Sequence, residues 1–232
     1  MLDAIQRYAW VGGVLFVVAL VTEAVISVAI PIDQEDTAAK IAKELGDHHQ
    51  RLVVAACLSI LYAVGFLVYL TRLHDLLRRA DPDAPPFLSS LVLIGGTLFV
   101  TLHGVSDIGI YAMLGAKVAT YAAGNDPGVS YTLYLLTFAL DSVGDVFGSL
   151  FVLSAGGIVL RTRVLPRWLG WLSILVGIMF FLQGFGLGGV VSQFGLILDI
   201  IGFVALLGFV LVSSVILLMR EARGPDAVAA RA

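Results

Sequence analysis

Two things are scarce in this chain, cysteine and charge. The single Cys57 has no partner to pair with, which excludes an intramolecular disulfide and leaves the redox compartment unread. Asp, Glu, Lys and Arg make up only 13% of the 232 residues, about half the share of a soluble domain. The net charge is −3 at pH 7, so no basic surface invites nucleic acid. Signature motifs of soluble enzymes are missing as well. The sequence holds no Walker loop, no Gly-x-Ser-x-Gly elbow and no His-Glu-x-x-His pair. The glycines at 184, 186, 188 and 189 follow no strand, so they are not a nucleotide fingerprint.

Apolar residues fill the chain instead, at 59%. Too few polar side chains remain to cover a water-facing surface, which makes the bilayer the solvent. A spanning helix needs about 20 mostly apolar residues. Six segments meet that length, at about 8–30, 52–70, 87–114, 131–160, 168–190 and 194–219. The expected fold is therefore all-α: one domain over 1–219, a polytopic bundle of six transmembrane helices, with 220–232 as a disordered cytoplasmic tail. The first span has Arg7 before it and Ser27-Val28-Ala29 near its end, like a secretory signal. Its apolar stretch exceeds the 7–15 residues of a signal core, and five more spans follow, so it reads as retained.

Orientation follows from the Lys/Arg bias of short loops. An inside N-terminus places Arg7, Arg72, Arg78, Arg79, Arg161, Arg163, Arg167, Arg220, Arg223 and Arg231 in the cytoplasm, against Lys40, Lys43, Arg51 and Lys117 outside. An even number of spans returns the C-terminus to the cytoplasm. Trp168 and Trp171 beside Arg167 suit an aromatic anchor at the inner interface. In the first outer loop, Asp33 is the expected cap of a short amphipathic helix at about 34–45, with Asp36 adding charge near its start. Ala38, Ile41, Ala42 and Leu45 share one face of it, and Gly46 is its expected stop. Arg72 to Arg79 should extend the second span by two turns until Asp81-Pro82 ends it.

Charge is scarce, yet five acids lie inside the spans: Glu23, Asp107, Asp141, Asp145 and Asp199. His103 is the only ionisable nitrogen among them. A carboxylate at the bilayer centre costs roughly 2.5–3.5 kcal/mol on insertion scales, so all five should face the bundle interior. Helical spacing agrees. His103 and Asp107 are four apart, on a face with Gly96 and Val100, and Asp141 and Asp145 are four apart, with Thr137, Gly144 and Gly148. Glu23 aligns with Gly12, Phe16, Ala19 and Ser27, and Asp199 with Gly195 and Gly202. Gly184 and Gly188 form a further small-residue pair beside Gln183. With the topology above, all five acids fall in the outer half of the membrane, which predicts an acidic pocket opening outward under the surface helix.

Three classes of function fit such a set. The acids and His103, with Gln183, can bind or relay protons, cations or a small or lipid-like ligand, as in coupled transport. Alternatively His103, Asp107, Asp141 and Asp145 supply four N/O donors for a metal ion, the basis for a metal-dependent intramembrane hydrolase. In the third class the carboxyls are protonated packing groups of a non-catalytic structural or partner subunit. Enzymatic activity is not the favoured expectation, and no cofactor beyond that metal alternative is expected. His48-His49 reads as an exposed loop pair, His74-Asp75 as a solvated face, and Tyr62 and Tyr69 as packing residues.

The fourth and fifth spans carry recognisable text. Leu140-Asp141 opens a Gly-rich span, followed by Arg161-Thr162-Arg163-Val164-Leu165-Pro166-Arg167-Trp168-Leu169-Gly170. This resembles a large uncharacterised, domain-of-unknown-function family of bacterial six-helix integral membrane proteins. Its members share a long outer first loop, a basic Leu-Arg-rich end to the second span and a Leu-Pro-Arg-x-Leu-Gly start to the fifth. Many carry an acid near a His early in the fourth span; here Asp141 and Asp145 occupy that stretch without one. The resemblance implies multi-pass topology in a bacterial cytoplasmic (inner) membrane, and it brings no activity or substrate. The Ala/Val/Gly/Arg-rich composition points to a high-GC organism such as an actinobacterium.

Overall fold

The computed structural model describes residues 9–32, 36–82, 86–107, 126–184 and 193–222, the side chains of 86, 193–199 and 222 excepted. Those residues form seven helices and no strand. They are α1 (Val11–Val28), α2 (Ala38–Asp47), α3 (His49–Ala80), α4 (Pro86–Gly104), α5 (Pro127–Thr162), α6 (Arg167–Leu182) and α7 (Gln193–Ala222). Five are long and apolar enough to cross a membrane, namely α1, α3, α4, α5 and α7. The chain is a multi-pass membrane protein. α6 is apolar too but has 16 residues, roughly 24 Å at 1.5 Å per residue.

Local chemistry explains most of the boundaries. Asp126 accepts a hydrogen bond from the Gly128 amide at 2.9 Å, and Pro127 takes the first helical position of α5, where its missing N–H is not needed. That helix ends at Arg163, whose φ of 58° is the left-handed stop usually given to glycine. Pro166 then precedes α6. α3 runs through the basic stretch to Ala80, as the sequence suggests.

Four sequence expectations need correction. The cap of α2 is Thr37, whose hydroxyl accepts from the Lys40 amide, while Asp33 lies outside the described residues. Both residue types cap well, and spacing alone does not choose between them. Gly46 does not stop α2, which runs on to Asp47 and turns at His48 straight into α3. The rings of His48 and His49 bond the Glu44 and Gly46 carbonyls at 2.9 and 3.0 Å, so the pair satisfies helix-end carbonyls instead of sitting in a loop. The helix at the C-terminus continues past 220 to Ala222, and Arg220 and Glu221 are engaged rather than part of a loose tail.

The bundle packs α1 on α3, α4 on α5 and α5 on α6, with α7 against α6 and α1. Glycines set the closest approaches. A Cβ on Gly12 would lie 2.6 Å from the Gly65 carbonyl, and one on Gly65 would lie 2.7 Å from the Gly12 carbonyl. The two helices therefore touch backbone to backbone, as small residues permit in membranes. An aromatic spine runs through the interior: Phe66 meets Phe16, Tyr69, Phe99 and Phe151, and Phe99 stacks on Phe180. α2 lies across one end, its Ile41 and Leu45 buried with Leu52 against Tyr131, Tyr134 and Leu140 of α5. Its outer side is charged, with Lys40 paired to Asp36 and Lys43 to Asp47. The Asp47 carboxylate holds the Lys43 ammonium above its usual range.

Candidate functional site

The ends of α1 and α4 and the starts of α3 and α5 lie at the α2 side of the bundle, and four helices contribute polar groups just beneath it. On α1, Glu23 is buried and accepts a 2.5 Å hydrogen bond from the Ser27 hydroxyl one turn on. Across from it, α4 ends its regular turns at Gly104 and continues as a wider π turn through 105–107. Such turns displace side chains from the regular 3.6-residue register and recur at functional sites. Here the turn delivers Asp107, which accepts a 2.5 Å hydrogen bond from the Tyr62 hydroxyl of α3. Asp107 lies in the electrostatic field of both Glu23 and Asp141, and Tyr62 in that of all three acids. One phenol thus bonds Asp107 directly and feels the carboxyls of Glu23 on α1 and Asp141 on α5 through space.

A second group lies one turn along. His103 is buried, its Nδ1 3.0 Å from the Phe99 carbonyl and its Nε2 3.6 Å from Asp145 Oδ1. Asp145 is 2% exposed, on the same α5 stripe as Asp141. Gly144 makes the room: a Cβ there would meet the His103 ring at 2.6 Å. The Phe99 ring lies 4.4 Å from the imidazole and the Phe203 ring 6.3 Å away, giving it apolar walls. His103 acts on Asp107 electrostatically, so the two groups form one continuous set.

The structure therefore brings together Glu23, His103, Asp107, Asp141 and Asp145. Gln183 is half-buried in a second π turn at the end of α6, where the adjoining Gly184 meets α5 at the Ser142 carbonyl and Val146, each the residue after one of that helix's two acids. The backbone of Asp199 belongs to α7, one turn before Phe203, but its side chain lies outside the described residues. Tyr62, which reads as a packing residue in the sequence, belongs to the site. Its signal is a phenol where a Phe would pack equally well, since a buried hydroxyl calls for a partner. Among the described residues, no three His, Cys, Asp or Glu side chains gather closely enough to hold a metal ion.

The domain of unknown function DUF4386 matches residues 11–212. The chain belongs to that family. The match encloses every acid of the cluster together with His103 and Tyr62. It agrees with the resemblance carried by the fourth and fifth spans. No curated protein and no solved structure matches the chain.

Proposed function

We propose that this DUF4386 member is a six-span protein of a bacterial inner membrane, both termini cytoplasmic, whose outer-half acid cluster takes up protons or small cations. α6 serves as the sixth crossing, and uptake is coupled to transport or to binding of a small or lipid-like ligand. The observation that supports this reading is that Asp107, bonded to the Tyr62 hydroxyl, lies within electrostatic reach of Glu23 and Asp141 from two other helices. Clustered carboxylates in a poorly polar setting repel each other, and a proton or cation between them relieves that repulsion. The spans themselves carry no Lys or Arg to do so. Among the described residues no three metal-type donors gather, so the geometry there does not favour the metal-dependent hydrolase.

The packing-subunit reading has one observation in its favour. Glu23 and Asp107 each take a hydroxyl donor from a neighbour, as a purely structural carboxyl would. Flux in liposomes separates the two. The purified protein should take up protons or a monovalent cation from the outer face, and Asp141→Asn should abolish that uptake while leaving the melting temperature near wild type. Unchanged uptake with a lowered melting temperature would hand the case to packing.

A further inference from the structure

We propose that His103 and Asp145 form a proton-binding site that holds one proton between Nε2 and the carboxylate, walled off by aromatic rings. The chemistry starts from the other ring nitrogen. Nδ1 lies 3.0 Å from the Phe99 carbonyl, and a carbonyl oxygen can only accept. Nδ1 is therefore the protonated nitrogen. In a neutral ring that makes Nε2 an acceptor, 3.6 Å from Asp145 Oδ1. Two acceptors facing each other in a buried site repel, and one proton between them turns the repulsion into attraction.

The surroundings hold the pair in place. Asp145 is 2% exposed, Phe99 and Phe203 flank the imidazole, and Phe180 stacks against Phe99 at 5.9 Å. Gly144 gives the ring its seat, since any Cβ there would strike Nδ1 and Cε1. Among the described residues, the charged and titratable groups seen around it include Asp145 from α5, Asp107 one turn along its own helix, and Asp141 and Tyr62 through Asp107. α6 and α7 present Phe180 and Phe203, with Asp199 one turn before the latter in sequence.

The transfer itself is balanced. An imidazolium beside a carboxylate becomes a neutral imidazole beside a carboxylic acid when the Nε2–H bond breaks and an O–H bond forms, with no other reactant. At 3.6 Å the atoms are beyond hydrogen-bond length, so the step requires the pair to close or a water to bridge it. The inference deepens the cation-uptake reading by naming the proton as the occupant of the inner half of the site. It rests on that reading for its purpose, not for its test.

The test is nitrogen NMR of ring-labelled histidine in lipid, in a chain carrying His48→Gln, His49→Gln and His74→Gln so that His103 is the one reporter. The expected spectrum has Nδ1 protonated and Nε2 sharing a proton, a signature that Asp145→Asn removes, Asp145→Glu restores and Asp199→Asn leaves alone. A neutral ring protonated on Nε2, or a spectrum indifferent to Asp145→Asn, overturns the proposal. Loss of the signature in Asp199→Asn overturns it too. Should Asp145→Asn fail to fold, the wild-type tautomer decides by itself. An intact signature in a protein that takes up no cation sinks the transport reading alone.

Discussion

Beneath the ion pairs on the outer side of α2, the two ends of the bundle treat charge in opposite ways. At the end away from α2, acids meet cations. Glu221 accepts from Arg72 at 2.8 Å and from the Trp10 indole at 3.0 Å on the same oxygen, and the Arg72 guanidinium lies 5.9 Å over the Trp10 ring. Beside them Arg161 pairs with Asp81 at 3.0 Å, and Arg220 donates to the Val164 carbonyl. At the α2 end, the partners seen for Glu23 and Asp107 are hydroxyls, and Asp145 meets an imidazole. The first end uses its charges against one another to tie α1, α3 and α7 together. The second gathers acids from three helices, the arrangement on which the proposed cation uptake rests.

The largest effect tests that contrast directly. Arg72→Ala removes the cation from a Glu221 whose side chain is 22% exposed and that also accepts from the indole. Hydrogen bonds to charged groups contribute about 1.5–3 kcal/mol, so Arg72→Ala should lower stability by about 2 kcal/mol. Asp107→Asn at the other end keeps an oxygen that accepts from Tyr62 and should stay within about 1 kcal/mol of wild type. Thermal unfolding in lipid nanodiscs measures both. Equal losses at the two ends would dissolve the distinction.

A smaller effect is expected at Gly144. An added methyl lands 2.6 Å from the His103 ring, and the ring or α4 must shift to make room. Overpacking of this kind costs about 1–3 kcal/mol, and here the low end applies because a ring can turn more easily than backbone can move. Gly144→Ala should therefore unfold at a slightly lower temperature and alter the His103 nitrogen spectrum, while Gly157→Ala, which meets open space, should do neither. A silent Gly144→Ala would mean that the imidazole does not rely on this seat.

Much of the α2-end cluster is legible in the sequence because membrane physics makes it so. An acid in an apolar span has to face inward, and i,i+4 spacing by itself puts His103 with Asp107 and Asp141 with Asp145. Spacing within one helix does not say which neighbour a stripe faces. Tyr62 therefore escapes such a reading: its partner Asp107 is 45 residues away and is presented by a π turn that the regular helical period does not describe. The opposite end is less legible for the same reason. Glu221 reads as the start of a loose tail, yet its partners Trp10 and Arg72 lie 211 and 149 residues away in sequence. Capping by Thr37 in place of Asp33 is a choice between two competent residues, which the position of the first helical turn decides.

The smallest effect is also the sharpest probe of what the cluster is for. Tyr62→Phe removes one oxygen and keeps the ring that packs against Phe16 at 6.0 Å. The aromatic spine stays intact, and the loss is a single hydrogen bond to a buried carboxyl, about 0.5–1.5 kcal/mol. If the acids only pack, Asp107 loses its donor, stability falls by that amount and nothing else changes. If they bind a cation, the phenol is competing with that cation for the Asp107 oxygen, and its removal should strengthen cation binding as it weakens the fold. Both readings thus predict a lowered melting temperature, and they differ in the change in uptake. Flux measured against cation concentration in liposomes, wild type beside Tyr62→Phe, decides between them: a shift of the half-saturating concentration downward supports an ion site, and two superimposed curves support a packing one.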